Sequence, residues 1–169
     1  RYGTTSEMDA YLVSNTIPFM IITIFMGSLN YTFVPVFVDN KSRGREDQAW
    51  NAANNLFNIS SLIFGIMSLV GIVYSREVID LVAPGLDPVA KETAVVLSMI
   101  QMPSILLAAT SALLSSIYYS EKMFLLPTFA NLSNSVILFV FVYWFSDTYG
   151  IRTIAIGTLI GSIVGFLIL

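Results

Sequence analysis

The sequence predicts an all-α protein with several membrane-spanning helices, and three observations lead to this fold class. Hydrophobic residues make up 56% of the 169-residue chain, and the mean hydropathy is +0.77. Only 11% of the residues are charged, less than half of the roughly 25% found in soluble domains. The apolar residues form continuous runs of the length that a helix needs to cross about 30 Å of hydrocarbon. Barrel strands would instead alternate over about ten residues, so the runs predict helices.

Five spans are predicted, at approximately 10–37, 50–74, 88–119, 124–145 and 151–169. Between the second and third, Val78, Leu81 and Val82 recur at i, i+3 and i+4, which predicts a short helix along the membrane interface. Asp87 followed by Pro88 is a start signal for the third span, because a carboxylate caps free N–H groups and proline suits the first helical position. The chain has no starting Met or signal peptide and stops inside an apolar run. We expect it to be an internal piece of a larger protein.

The charged residues lie in the connections and predict the orientation. Lysine and arginine are equally numerous on the two sides of the predicted spans, but Lys41, Arg43 and Arg45 fall within five residues. Because cytoplasmic loops are rich in such residues, loop 38–49 is predicted to be cytoplasmic. The net charge of −3 and the lack of a basic tract give no indication of a nucleic-acid partner.

The composition also limits the chemistry. The chain contains no cysteine and no histidine, which removes thiolate chemistry and the commonest general base and metal ligand. No charged residue lies deep inside a span, so a relay of buried charges is not indicated. We expect no catalytic residue, no metal and no cofactor.

Polar residues inside the spans are amides and hydroxyls. Four amides of the second span recur at i, i+3, i+4 and i+7: Asn51, Asn54, Asn55 and Asn58. The same stripe is continued by Ser61, Gly65 and Ser68. An unpaired amide in hydrocarbon costs several kcal/mol, so the stripe must face protein or water. Two interpretations stay open: hydrogen bonds between helices, or the wall of a hydrophilic cavity. Asn15 and Asn30 repeat the theme in the first span.

Prolines interrupt three spans: Pro18, Pro103 and Pro127. A proline lacks the N–H that would bond to the preceding turn, and the carbonyl that it frees is tolerated where protein or water satisfies it. Pro18 and Pro103 are therefore predicted hinges, and the kinked, amide-bearing spans predict a bundle around a wet interior. In the fifth span, two overlapping GxxxG units (Gly157, Gly161 and Gly165) predict close packing of two helices.

The stretch "DAYLVSNTIPF" places Asp9 at the mouth of the first span. A carboxylate is favourable at a helix N-terminus because of the free N–H groups and the helix dipole. Asp9 is therefore either a helix cap or a group that contacts a transported molecule.

Several stretches resemble one family in order and spacing over nearly the whole chain. These are "RYG…MDAYLV…IP…F…FVPVF", the loop "DNKSRGRED", the later "APG", and "P…L…N" in the fourth span. They resemble the MviN/MurJ family of lipid-linked-precursor flippases, in the multidrug/oligosaccharidyl-lipid/polysaccharide exporter superfamily. The resemblance implies a fourteen-helix fold with two six-helix lobes around a cavity. Residues 1–169 would then be most of the N-terminal lobe, helices two to six, with Arg1 following the first helix.

The resemblance also implies a site and leaves the cargo open. Asp9 matches an aspartate that is important in lipid II flippases, and loop 38–49 would be cytoplasmic. Where those flippases carry an arginine pair, this sequence reads Ile22-Thr23, and a neutral pair cannot replace guanidinium groups at a pyrophosphate. A later acidic-glycine step is replaced by Met26-Gly27 with one residue deleted. The cargo is thus either lipid II or another undecaprenyl-linked sugar, as a divergent polysaccharide-associated relative would carry.

We therefore expect a transporter of the bacterial inner membrane that flips an undecaprenyl-pyrophosphate-linked sugar by alternating access. Its partners would be the lipid-linked glycan and the bilayer, with a coupling ion left open. The candidate cavity residues are Asp9, Asn15, Asn30, Asn51, Asn54, Asn55 and Asn58. A multidrug or cation antiporter is the first alternative, although it would need an intramembrane carboxylate. A membrane-embedded polysaccharide polymerase or ligase and a non-transporting structural subunit are the others.

Overall fold

The structure is a computed structural model that describes residues 6–169, so Arg1 and the rest of the "RYG" motif lie outside the described part. Within it, α1 (Ser6–Ser28) continues through a π-helical segment (Leu29–Phe33) into α2 (Val34–Ser42). The remaining helices are α3 (Glu46–Val73), α4 (Ser75–Val82), α5 (Pro88–Ser120), α6 (Leu125–Tyr149) and α7 (Arg152–Ile168).

Four helical stretches are long and apolar enough to cross a membrane: Ser6–Ser42, α3, α5 and α6. The fifth predicted span is α7, an apolar helix of 17 residues. The predicted fold class, an all-α polytopic membrane protein, is confirmed. The short helix predicted before the third span is α4, which buries Ile79 and exposes Leu81.

Side chains at the ends of the helices fix the connections. The Asp87 carboxylate accepts hydrogen bonds from the Val89 and Ala90 N–H groups at 3.1 and 3.4 Å, so the predicted cap of α5 is present. Arg76 on α4 donates two hydrogen bonds to the Glu92 carboxylate on α5, at 2.7 and 2.9 Å. Because a second ion pair joins Lys91 to Asp80, α4 is held against the start of α5.

Helix α5 forms the centre of the bundle. Helices α1, α3 and α7 all pack on it, whereas α6 packs chiefly on α7. Of the most apolar 18-residue window in each helix, 56% is buried in α5 and only 11% in α6. The outer surface of α6 is therefore apolar and exposed, as expected of a helix that faces lipid.

Helices α1 and α5 run in the same direction. Ala10 and Ala94 share the buried cluster at one end of the bundle, and Ile21 packs with Ile105 in the middle cluster. The two helices therefore lie side by side over about three turns.

The three glycines of α7 pack against α6. A Cβ atom on Gly157 would lie 3.1 Å from the Phe141 Cβ, and one on Gly165 would lie 3.2 Å from the Ala130 carbonyl oxygen. On Gly161 it would collide with the Asn134 side chain. The prediction that the GxxxG units serve close packing is confirmed.

The prolines differ in their positions. Pro18 lies inside α1 and is buried, and Pro103 lies inside α5 and is half-buried. Pro127 is the third residue of α6, where N–H groups have no partner within the helix in any case. The prediction that Pro127 frees a carbonyl inside a span is therefore wrong.

The sequence pattern did not predict the π-helical segment, in which the Val34 N–H bonds to the Leu29 carbonyl. The segment turns Leu29 and Phe33 into the core with Phe37 and leaves Tyr31 88% exposed. One wide turn of this kind is rare and often lies at a functional site.

Candidate functional site

The amide stripe of α3 lies on a face that is not packed in the described chain. Asn51, Asn54, Asn55 and Asn58 are all exposed. The residues that α3 buries are Ala49, Ala53, Ser60, Phe64, Ser68 and Gly71. At 3.6 residues per turn, the asparagines point about 150° away from this buried face. The stripe therefore makes no helix–helix hydrogen bonds within residues 6–169, and it presents amides to whatever lies on the far side of α3.

Two of the three residues predicted to continue the stripe turn away from the asparagines. Ser68 is buried against α5, and the Ser61 hydroxyl is buried with no hydrogen-bond partner among the described residues. Ser61 and Gly65 line a groove of about 470 Å³ between α3 and α5, together with Pro103. The stripe predicted over seven positions is thus divided, because Ser61 and Ser68 lie nearer to the buried side of the helix, whereas Gly65 keeps the direction of the asparagines.

Asp9 does not cap α1. In the described chain the helix already includes Ser6, so Asp9 lies in its first turn. The residue is exposed, and its carboxylate makes no ion pair with any residue from 6 to 169. Asp9 therefore lies within the first described turn rather than at the N-cap position, and its carboxylate has no charged partner among residues 6–169.

The candidate residues form two groups at opposite ends. Asp9 adjoins Ala10, which packs with Ile79 at the end where α4 lies. Asn51 and its neighbours adjoin Ala49 and Ala53, which pack at the other end. Asn15 is half-buried and belongs with Asp9, whereas Asn30 is exposed in the π-helical segment and belongs with the stripe. The structure does not bring Asp9 and the stripe together.

A polar cleft that the sequence analysis missed lies between α1, α5, α6 and α7. Its volume is about 180 Å³. Its polar lining consists of Ser111, Ser115, Asn131, Asn134, Ser162 and Tyr119. Helix α1 contributes Ile22 and Met26, so the first residue of the neutral pair noted in the sequence faces this cleft. The i, i+3 spacing of Asn131 and Asn134 was the signal that could have indicated it.

A second feature that the sequence analysis missed is Gln101, in the middle of α5. Its side chain is 1% exposed, and neither its amide nitrogen nor its amide oxygen has a hydrogen-bond partner in the described chain. The hydroxyl of Ser98, one turn earlier, is buried and unpaired as well. Buried polar groups are nearly always paired, so this pair of residues is unusual. A lone glutamine within an apolar run was the available signal.

Charged side chains are confined to the ends of the bundle. Lys41 lies 2.5 Å from the Glu121 carboxylate and about 6 Å from the rings of Phe37 and Trp50, which ties the end of α2 to the ends of α3 and α5. Residues 6–169 contain no cluster of three or more side chains suited to a metal ion.

Comparison with known proteins identifies the family. The sequence profile described as "Lipid II flippase MurJ" matches residues 2–169. The chain belongs to the MurJ family. The probable lipid II flippase MurJ of Buchnera aphidicola subsp. Acyrthosiphon pisum is 29% identical over 98% of this chain, and the lipid II flippase MurJ of Thermosipho africanus is 28% identical over 98%. In both cases the match covers 34% of the relative, so the chain spans about a third of the length of these relatives.

A solved MurJ structure has the same arrangement of helices. The structure described as "Lipid II flippase MurJ, inward closed conformation" superposes with a TM-score of 0.80 and 26% sequence identity. The match covers 98% of this chain and 35% of that structure. The family membership that the sequence motifs implied is confirmed by sequence and by fold.

Proposed function

We propose that the protein containing this chain flips an undecaprenyl-pyrophosphate-linked sugar across the bacterial inner membrane by alternating access. The observation that carries the proposal is the MurJ family match over residues 2–169. The relatives are named lipid II flippases, and a lipid-linked glycan precursor is the cargo class that their names give. Because the proposed function is transport, it requires residues that bind the glycan and helices that move, rather than groups that make or break covalent bonds.

The place of this chain in the transporter is part of the proposal. Residues 1–169 would be helices two to six of the N-terminal six-helix lobe. The coverage of 35% of the solved MurJ structure supports a piece of this size. Loop 38–49 would lie in the cytoplasm, which fits its three clustered cations.

The asparagine stripe would bind the glycan. Four exposed amides that point away from α5 have no packing role within the described helices. They would be costly against lipid and well suited to sugar hydroxyls. With loop 38–49 in the cytoplasm, the stripe and Asn30 would lie at the inner mouth, where the precursor is loaded. Asp9 and Asn15 would lie at the outer mouth. Each end of the proposed glycan path through the protein would therefore have one group of polar residues.

The charge of the groups that would bind the pyrophosphate affects which cargo can be assigned to the transporter. The polar cleft between α1, α5, α6 and α7 is lined by Ile22 and contains no lysine or arginine. Cations that hold the pyrophosphate would therefore come from elsewhere in the protein. Neutral amides and hydroxyls recognise a glycan, which leaves lipid II and other undecaprenyl-linked sugars as members of the proposed cargo class. A coupling ion would act outside these residues as well.

The test is to deplete the full-length protein from its native cell. We expect undecaprenyl-linked glycans to accumulate in the inner leaflet, as measured by their accessibility to a glycan-modifying enzyme added outside spheroplasts. The identity of the glycan that accumulates would assign the cargo. If every undecaprenyl-linked glycan still reached the outer leaflet at the normal rate, the proposal would be wrong.

A further inference from the structure

Gln101 lies in the seam between α5 and α1. Along α5, Ala94, Ser98, Gln101 and Ile105 follow one another at spacings of four, three and four, which places them on one face of the helix. Ala94 and Ile105 share buried clusters with residues of α1. Since Gln101 and Ser98 are buried between them, their unpaired groups face the same seam.

On the opposite side of the seam, a proline removes the usual helical hydrogen-bond partner of one backbone carbonyl. Pro18 has no N–H, so it cannot bond to the Ser14 carbonyl one turn earlier. Ser14 is 1% exposed, and its own hydroxyl donates to the Tyr11 carbonyl at 2.7 Å. The serine side chain therefore does not compensate for the missing bond of its backbone oxygen.

The packing of the two helices brings these groups to a similar depth. Ile17, next to Pro18, packs in the same middle cluster as Met102, next to Gln101, so Pro18 and Gln101 lie at similar depths in the bundle. Helix carbonyls point toward the C-terminus, as their bonds to the N–H four residues later require. The Ser14 oxygen therefore points to the level of Gln101, where an amide donor has no partner in this conformation.

We propose that Gln101 is a positioning residue for transport, whose side-chain amide donates to the Ser14 carbonyl in one state of the transporter and is released in the state described here. This inference rests on the proposed alternating-access function. Pro18 allows the first part of α1 to bend, and the small side chains of Ala10, Ser14, Ala94 and Ser98 allow the two backbones to approach. A hydrogen bond in such a dry seam is strong, so making or breaking it gives the hinge two discrete positions. The bend moves Asp9 and Asn15 together.

The test is a double-mutant cycle in the full-length protein. Gln101→Met removes the amide at nearly constant volume, and Pro18→Ala restores an N–H for the Ser14 carbonyl. We expect Gln101→Met to slow glycan flipping about fivefold or more, the factor that one buried hydrogen bond provides. In the Pro18→Ala background the same change should have little effect, because the carbonyl then has a partner within its own helix.

A matched control and a second measurement separate this role from a structural one. Ser116 is also buried in α5, but its hydroxyl already donates to the Ala112 carbonyl at 2.9 Å, so Ser116→Ala should leave flipping unchanged. The labelling rate of a cysteine at exposed Glu7, measured with an impermeant thiol reagent and no glycan present, reports the position of α1. We expect Gln101→Met to change this rate only when Pro18 is present.

The outcomes distinguish this inference from the proposed function. Equal effects of Gln101→Met in the wild-type and the Pro18→Ala backgrounds, in flipping and in labelling, would overturn the inference. The other outcome is a wild-type protein that moves no lipid-linked glycan but whose labelling still depends on Gln101 and Pro18 together. That result would contradict the proposed cargo and would still support the proposed hinge.

Discussion

The side-chain oxygen of Asn134 on α6 occupies the position that a methyl group on Gly161 of α7 would need. The Asn134 backbone carbonyl lies only 3.1 Å from the same position, so rotation of the side chain alone would still leave a tight contact. The two contacts favour glycine at the middle position of the GxxxG pair. It also fixes one wall of the polar cleft, because Asn134 lines that cleft.

We expect Gly161→Ala to lower the free energy of unfolding by about 1–3 kcal/mol through overpacking. Thermal unfolding in detergent measures the change. Gly65→Ala is the matched control, since a Cβ atom there has no neighbour within 4 Å and alanine favours helix by about 1 kcal/mol. Equal melting temperatures for the two variants would contradict the packing described for α6 and α7.

Asp9→Asn should leave the amount of folded protein unchanged and reduce glycan flipping. The carboxylate pairs with no described residue, so no ion pair within residues 6–169 is lost, whereas a charge at the mouth of the proposed path through the protein is removed. Glu7→Gln, two residues earlier and also exposed, removes the same charge on a different face of the helix. If both variants flipped the precursor as well as the wild type, Asp9 would have no role in transport.

Single cysteines at Asn51, Asn54, Asn55 and Asn58 should react with a membrane-impermeant thiol reagent in at least one state of the transporter. The chain contains no native cysteine, so background labelling from this part is absent. Ile66 and Leu69 of α3 are also exposed, but they lie in a stretch whose exposed side chains are all apolar, and cysteines there should stay unlabelled. Absence of labelling at all four asparagines would assign the stripe to packing against another part of the protein.

The Lys41–Glu121 pair should contribute about 1 kcal/mol of coupling in a double-mutant cycle, near the upper limit for ion pairs outside the core. Its side chains are only 25% and 30% exposed, and the Lys41 ammonium also lies near two aromatic rings. The Arg43–Asp39 pair, with side chains 59% and 55% exposed, is the control and should show a much smaller coupling. Chemical denaturation of the purified protein gives both values, and equal couplings would contradict the role of Lys41 in tying α2 to α3 and α5.

Much of the fold could be predicted because bilayer thickness and helix geometry leave few alternatives. Runs of apolar residues gave the helices, and Asp87-Pro88 gave the start of α5 correctly because a cap is a local feature. Asp9 was the opposite case. As an isolated residue before an apolar run it resembled a cap, but the helix extends past it to Ser6, and nothing local in the sequence revealed that extension.

The site was less predictable because it depends on which helices are neighbours. The spacing of the asparagines in α3 showed that they share a face, but only the position of α5 shows that this face points away from the bundle. Gln101 was overlooked for the same reason. A single polar residue has no periodicity, and its lack of a partner becomes visible only when α1 is placed opposite it.

The central position of α5 has a consequence for biogenesis. Helices α1 and α3 pack mainly on α5 rather than on each other, although Phe25 and Phe64 do make an edge-to-face contact at 4.7 Å. While the chain is being synthesised, the first two spans therefore enter the bilayer without their main partner. The sides of these spans that later face α5 must remain in lipid, or with the insertion machinery, until α5 has been synthesised. Only then can α1 and α3 pack on α5.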